Sequence, residues 1–365
     1  MRREKIASLD AVRTFACLSV LGYHMYLVHF GHLGVAMFFM MGGFLSVYNH
    51  FGEGGEAVTL RGSVNYAYAR ISKLYPLYLA SLLIPAAGQI YGAVYGLIST
   101  RTVLFKFAAD ALVLQAWVPI NEIYFSLNGP AWYLSSIAFC YFVFPWLLRR
   151  IERLKSARGA LAAAALIWLG QLAVELAGKW LYSRFGGDDP NLRRDFYGWL
   201  TYVFPVFRLG DFAVGGCLGY VFLTRGERKG SRAAWTAAEL GAIGLAVLAE
   251  LGFEHGWLPF NDTSAYLVAC AAVVYVFAVN RGYISRALTC GVTRYISGIS
   301  TELFLTHSVV IFAWSPILER LPLEFSTKQI VYVITVPIFS WAAALLGKRL
   351  NAWVLARRRA RRAAA

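Results

Sequence analysis

Residues 8–46 read SLDAVRTFACLSVLGYHMYLVHFGHLGVAMFFMMGGFLS, two apolar runs joined by a short turn from His29 to Gly34. The first run carries two ionisable side chains, Arg13 and His24, with ten residues between them. At about 100° per residue that spacing is roughly three helical turns, so both lie on one face, roughly 16 Å apart along the axis. Ionisable groups are costly in hydrocarbon, so a face bearing two of them is expected to line a protein interior or a wet cavity. Each residue alone has a plainer reading: an arginine can snorkel to the interface, and a histidine can satisfy a neighbouring carbonyl.

The rest of the chain repeats the apolar pattern. Of 365 residues, 58% are hydrophobic and 15% charged, and mean hydropathy is +0.54. About ten runs are long enough to cross roughly 30 Å of hydrocarbon, which leaves almost no length for a soluble domain. The expected fold is all-α: a polytopic transmembrane bundle of about ten spans, with both termini cytoplasmic. One membrane domain is expected over 1–365, ending in a basic tail at about 351–365. The short basic N-terminus and first run resemble a signal peptide in outline. Arg13 and His24 interrupt that run and no small-residue cleavage site follows, so an uncleaved span is expected. Cys17, Cys140, Cys217, Cys270 and Cys290 are scattered in or beside apolar runs, as packing residues would be.

The net charge of +15 is a topology signal rather than a nucleic-acid footprint. Basic clusters lie at 2–5, 149–158, 225–232, 281–294 and 348–362. Ten crossings place all of them on one side, which the positive-inside rule makes cytoplasmic; the tail would also touch anionic lipid. Eleven apolar segments are visible, at 10–29, 34–50, 67–95, 103–120, 130–149, 160–180, 199–223, 234–252, 263–280, 296–316 and 328–350. The segment 103–120 holds Lys106 and Asp110 and is broken at Pro119, so it is read as an interfacial or partly buried outer segment that does not cross. No phosphate-binding loop, dinucleotide fingerprint, zinc spacing or internal repeat is present, and no metal or bound cofactor is expected.

Arg13 and His24, followed by Gly34-Val35, Phe38-Phe39 and Gly43-Phe44-Leu45, resemble the opening of the acyltransferase-3 family of integral membrane O-acyltransferases. The resemblance implies acetyl-CoA or a related acyl-CoA as donor substrate, and a sugar or other hydroxyl compound as acceptor. It continues through Arg70, Lys73 and Pro76, where lysine replaces a more usual second arginine. A Trp132-Tyr133-Leu134-Ser135 signature follows, then Arg208 and Asp211, and finally a histidine, His307, after an apolar run. Two departures stand out: Gly42 where the family has serine, and Ile137 where many members carry glutamate.

The residues themselves leave room for blander roles. Arg70 and Lys73, three apart on one expected helix, could be anchoring charges, and Trp132 fits an interfacial aromatic belt. Arg208 and Asp211 are spaced to pair within an apolar run, which lowers the cost of burying either. Glu302 and His307 lie about 140° apart on a helix and cannot both face one partner. The outer loop 183–197, with Asp188, Asp189, Arg193, Arg194 and Asp195, is either a solvated surface or an acceptor contact.

Depth orders these groups. Arg13, Arg70 and Lys73 fall near the cytoplasmic side, where basic side chains would meet the phosphates of a cytosolic acyl-CoA. His24 falls about 21 Å from that side and Arg208 roughly 13 Å below the outer one. The expected function is therefore transfer of an acetyl group from cytosolic acetyl-CoA to a surface glycan or lipid-linked sugar, in the cell membrane of a bacterium. His24 would act as general base or acyl carrier with Arg13 beside it; Arg70 and Lys73 would bind the donor. Trp132, Ser135, Arg208, Asp211, Glu302 and His307 would support the acceptor or the site, while His29 and His32 would be bystanders at the outer turn. The competing reading is a secondary transporter of a lipid-linked sugar, for which intramembrane charges are equally natural. The topology is testable directly: cysteines placed at Ser156 and Ser231 should be shielded from an impermeant thiol reagent in intact cells, and one at Asp188 should be labelled. Labelling of Ser231 from outside would refute the ten-span arrangement.

Overall fold

The computed structural model describes residues 3–52, 58–185, 193–226, 229–257 and 262–363. The outer-loop carboxylates Asp188 and Asp189 lie outside the described residues. In chain order the helices are α1 (Leu9–His24), α2 (Gly31–His50), α3 (Leu60–Ile71), α4 (Tyr75–Val94), α5 (Thr100–Ala111), α6 (Trp132–Glu152) and α7 (Ala157–Phe185). They continue as α8 (Pro205–Thr224), α9 (Arg232–Glu254), α10 (Asp262–Val279), α11 (Tyr283–Leu288), α12 (Gly291–Ser297), α13 (Ser300–Arg320) and α14 (Phe325–Ala363). Among the described residues, eight helices are long and apolar enough to cross a membrane: α2, α4, α6, α7, α8, α9, α13 and α14. Adding the shorter α1 and α10 would bring the spans to about ten, the even number that the basic clusters require if they share one side.

Local chemistry sets several boundaries. Thr59 accepts a hydrogen bond from the Gly62 amide to start α3, and Ser231 accepts one from Ala234 to start α9. Pro205 opens α8 in the first turn, where its missing N–H loses nothing. Just before it, Arg193–Tyr197 and Trp199–Val203 are wound as π-helical turns. The basic tail expected after residue 350 is the helical continuation of α14 through Ala363.

One sequence expectation needs correction. The segment 67–95 is not a single helix: α3 ends at Ile71, and Ser72–Leu74 form a turn before α4. Pro76 is the cause, because it has no N–H to donate to the Ser72 carbonyl and its ring would clash there, while proline suits a first turn. It therefore starts α4 rather than kinking a continuous span. Lys73 falls in the turn, exposed, and does not share a helix face with Arg70. The segment 103–120 makes no crossing-length helix; α5 packs on α4, with Lys106 and Asp110 buried. Asp110 accepts a hydrogen bond from Ser126, and its backbone carbonyl accepts one from the Tyr78 hydroxyl. Burial pushes the Asp110 carboxyl up to about 7.

The centre of the bundle is the contact of α2 with α8, the most extensive between helices. A methyl group at Gly43 would overlap the Phe212 carbonyl, and one at Gly215 the Met40 carbonyl, so the two backbones touch. Small residues that let backbones approach are what membrane helices use in place of a hydrophobic driving force. Gly215→Ala should therefore lower stability by about 1–3 kcal/mol, the usual range for overpacking. Gly241→Ala, on the open face of α9, should not. Thermal unfolding in detergent compares them; equal melting temperatures would show that the seam can yield.

Candidate active site

The outer ends of α1, α2 and α6 surround a cavity of about 600 Å³. His24 lines it together with Trp132, Tyr202, Tyr124, Asn121 and Ser308. His32 also lines it, its ring 4.6 Å from that of Tyr202. The sequence placed His32 at an outer turn as a bystander; because α2 begins at Gly31, its first turn instead points the imidazole inward.

His24 is held from two sides. Its Nδ1 lies 2.8 Å from the Val20 carbonyl and 3.3 Å from Nε2 of His307. His307 is fully buried, and its own Nδ1 lies 3.1 Å from the Leu303 carbonyl. A carbonyl oxygen can only accept, so in the neutral pair each Nδ1 carries the hydrogen. His307 Nε2 is then a lone pair that shares the His24 Nδ1–H. This leaves His24 Nε2 as the basic nitrogen available to the cavity, with its tautomer fixed by neighbours on α1 and α13. Sequence spacing could not pair two residues on helices at opposite ends of the chain.

A second cavity, of about 180 Å³, lies toward the cytoplasmic side. Arg13 lines it with Tyr141, with Ser300 of α13, and with Ile71 and Leu74, which bracket the α3–α4 break. The Arg13 guanidinium makes no hydrogen bond or ion pair to the described residues. Arg13 also lines a third cavity, about 360 Å³, formed with Arg3, Lys5 and Asn49 at the cytoplasmic face. Phe304 in turn lines both the inner and the outer cavity. Its ring packs 5.9 Å from Phe38 and 5.2 Å from Tyr133, an aromatic partition one helical turn from His307. Arg13 and His24 are thus on one stripe of α1 but open into different chambers.

The remaining sequence candidates divide. Arg208 and Asp211 do pair, at 2.8 Å and wholly buried, and Gln171 donates to the second carboxylate oxygen at 2.8 Å. Arg208 Nε donates to the Tyr202 carbonyl at 2.5 Å, and the guanidinium packs on the rings of Tyr202, Phe39 and Trp132. The pair therefore stands behind the aromatic wall of the outer cavity and braces it. Arg70 donates to the Tyr66 hydroxyl at 2.9 Å, lies 3.1 Å from His50 Nε2, and covers the Tyr141 ring. Ser135 is buried, with no hydrogen-bond partner for its hydroxyl among the described residues. Glu302 is half-buried and lines neither of the two main cavities; the Thr306 hydroxyl donates to its backbone carbonyl. Gly42 and Ile137, the two departures from the family pattern, meet on the wall of the inner cavity: a Cβ at Gly42 would lie 3.4 Å from Ile137 Cδ1. Serine and glutamate would make that wall polar; here it is apolar.

These features define a multi-pass helical membrane protein with a histidine pair set between an outer and an inner chamber. The acyltransferase-3 family profile, an acyltransferase domain, matches residues 6–346, and the chain belongs to that family. A curated relative, acyltransferase MdmB of Streptomyces mycarofaciens, is 25% identical over 170 residues, which cover 42% of this chain and 42% of that protein. The chain therefore spans less than half the length of the relative it matches. No solved structure matches.

The buried ion pair carries a sharp expectation for stability. Asp211→Ala leaves an uncompensated guanidinium in an apolar wall and should cost about 3–5 kcal/mol. Arg208→Met combined with Asp211→Leu removes both charges and should recover most of the folded yield. Size-exclusion recovery from membranes measures both, and a double variant as poor as the single would show that the pair does more than neutralise itself.

Proposed function

We propose that the protein transfers an acyl group, acetyl in the simplest case, from cytosolic acyl-CoA to a hydroxyl of a surface glycan or a lipid-linked sugar at a bacterial plasma membrane. The observation that carries this reading is the His24–His307 pair on the wall of the outer cavity, one turn from the partition to the inner one. The Arg13 guanidinium, without a partner among the described residues, stands at the junction of the inner cavities and suits an anionic donor. Arg70 at the end of α3 and Lys73 within the α3–α4 turn would add phosphate contacts, Arg70 as a fork and Lys73 as a point charge. Trp132 and the other rings of the outer cavity offer faces on which a sugar can stack.

In the reaction, an acceptor hydroxyl in the outer cavity attacks the thioester carbonyl presented past Phe304. His24 Nε2 takes the hydroxyl proton as the new C–O bond forms. The resulting imidazolium is stabilised through Nδ1–H by the Val20 carbonyl and His307 Nε2. When the tetrahedral intermediate collapses and the C–S bond breaks, His24 returns the proton to the departing sulfur. The products are the acyl ester and free CoA, and histidine ends as it began. Arg208, Asp211 and Ser135 would keep this wall rigid, while Glu302, removed from both cavities, would act only through α13.

Purified protein given acetyl-CoA and a glycan acceptor, with no ion gradient, should consume the donor. His24→Gln should reduce turnover by about 10²-fold or more while leaving insertion intact. His307→Gln, which keeps an acceptor oxygen for His24, should retain much more activity than His307→Leu. Arg13→Leu should act mainly on the Michaelis constant for acyl-CoA. Normal turnover in His24→Gln, or no donor consumption without a gradient, would overturn the reading and favour a transporter.

A further inference from the structure

An apolar groove of about 400 Å³ runs along the outside of α1. Its walls come from α1 (Ala11, Val12, Phe15) and α9 (Ile243, Ala246, Val247), and its floor from Leu33 and Met37 of α2 with Val273 and Phe277 of α10. Phe15 and Val247 at its mouth are exposed, so it opens sideways to hydrocarbon rather than to water. It runs from Ala11 and Leu288 to Phe30 and Leu251, and its α9 wall, Ile243 to Leu251, is about 12 Å long by helical rise.

The groove and the outer cavity share one rim. Along Phe30-Gly31-His32-Leu33 the first and last residues line the groove and the middle two line the cavity. On α9 the same alternation occurs, with Leu251 in the groove and Phe253 in the cavity. A molecule with its head beside His24 and His32 could therefore pass over this rim and lay a tail between α1 and α9 without leaving protein. Glu250 lines the groove near the rim, its carboxylate accepting from the Tyr266 hydroxyl at 2.5 Å. A carboxylate at that level disfavours an anionic headgroup in the groove itself, so the charge-free part of the ligand belongs there.

Resting on the acyl-transfer reading for the identity of the head, we propose that the acceptor is an amphiphile. Its uncharged hydroxyl-bearing head occupies the outer cavity, and its apolar tail occupies the groove between α1 and α9. Burying a tail there adds affinity in proportion to its length, and lateral entry from the bilayer aligns the hydroxyl with His24 Nε2.

The test uses the full chain in lipid nanodiscs and needs no acyl donor. The probe is a dodecyl maltoside carrying a diazirine near the end of its alkyl chain, irradiated and mapped by peptide mass spectrometry. Labelling should concentrate on α1, α9 and α10. Ala246→Phe and, separately, Val247→Trp should reduce it by about tenfold, the factor that about 1.4 kcal/mol of lost binding produces, with labelling of the lipid-facing α4 unchanged. The same diazirine chain on a plain alcohol, lacking the sugar head, should label the groove much less. Labelling spread evenly over lipid-facing helices, equal labelling by the headless probe, or insensitivity to both substitutions would overturn the proposal. Acetyl-CoA consumption measured on the same preparation separates the two readings: an unlabelled groove with intact turnover refutes the groove alone, and a labelled groove without turnover refutes the transfer chemistry alone.

Discussion

The structure depends on the close approach of α2 and α8. Lipid tails are as apolar as the side chains they would replace, so helices in a bilayer gain little from burial and must gain from contact. Gly43 against Phe212 and Gly215 against Met40 bring two backbones into touch. That contact fixes where Phe39 and Arg208 meet, and the Arg208–Asp211 pair then closes the wall behind Trp132 and Tyr202. A buried ion pair is a poor source of stability by itself. Here it pins three rings and a π-helical carbonyl at the place where the outer cavity needs a firm side.

From that wall the chemistry follows by position. The chambers on the two sides of the membrane are separated by aromatic rings rather than by a closed helix, and Phe304 belongs to both. In the proposed reaction, a cytosolic donor and an acceptor from the outer leaflet would meet at this partition. The imidazole of His24, held by Val20 and His307, stands on its outer side. The break between α3 and α4 has the complementary role on the inner side, since it opens a space beside Arg13 that an unbroken span would fill.

Periodicity, hydropathy and charge were enough to determine an all-α membrane bundle of about ten spans, the segment around Asp110 that forms no crossing-length helix, and the Arg13–His24 stripe. Each rests on spacing within one segment or on counting basic clusters, and both are local properties of the chain. The spacing of Arg208 and Asp211 likewise contained their ion pair, because residues three apart on a helix meet whatever surrounds them.

What spacing could not contain was anything joining distant segments. The pairing of His24 with His307, the inward turn of His32, and the meeting of Gly42 with Ile137 all arise where different helices pack together. The division of the α1 stripe between two chambers also needed tertiary structure, since it is made by rings on α2, α6 and α13. Even the break at Ser72–Leu74, written locally by Pro76, acquires its meaning only from Arg13 lying opposite. Helical periodicity reports which residues share a face; only packing decides what that face meets.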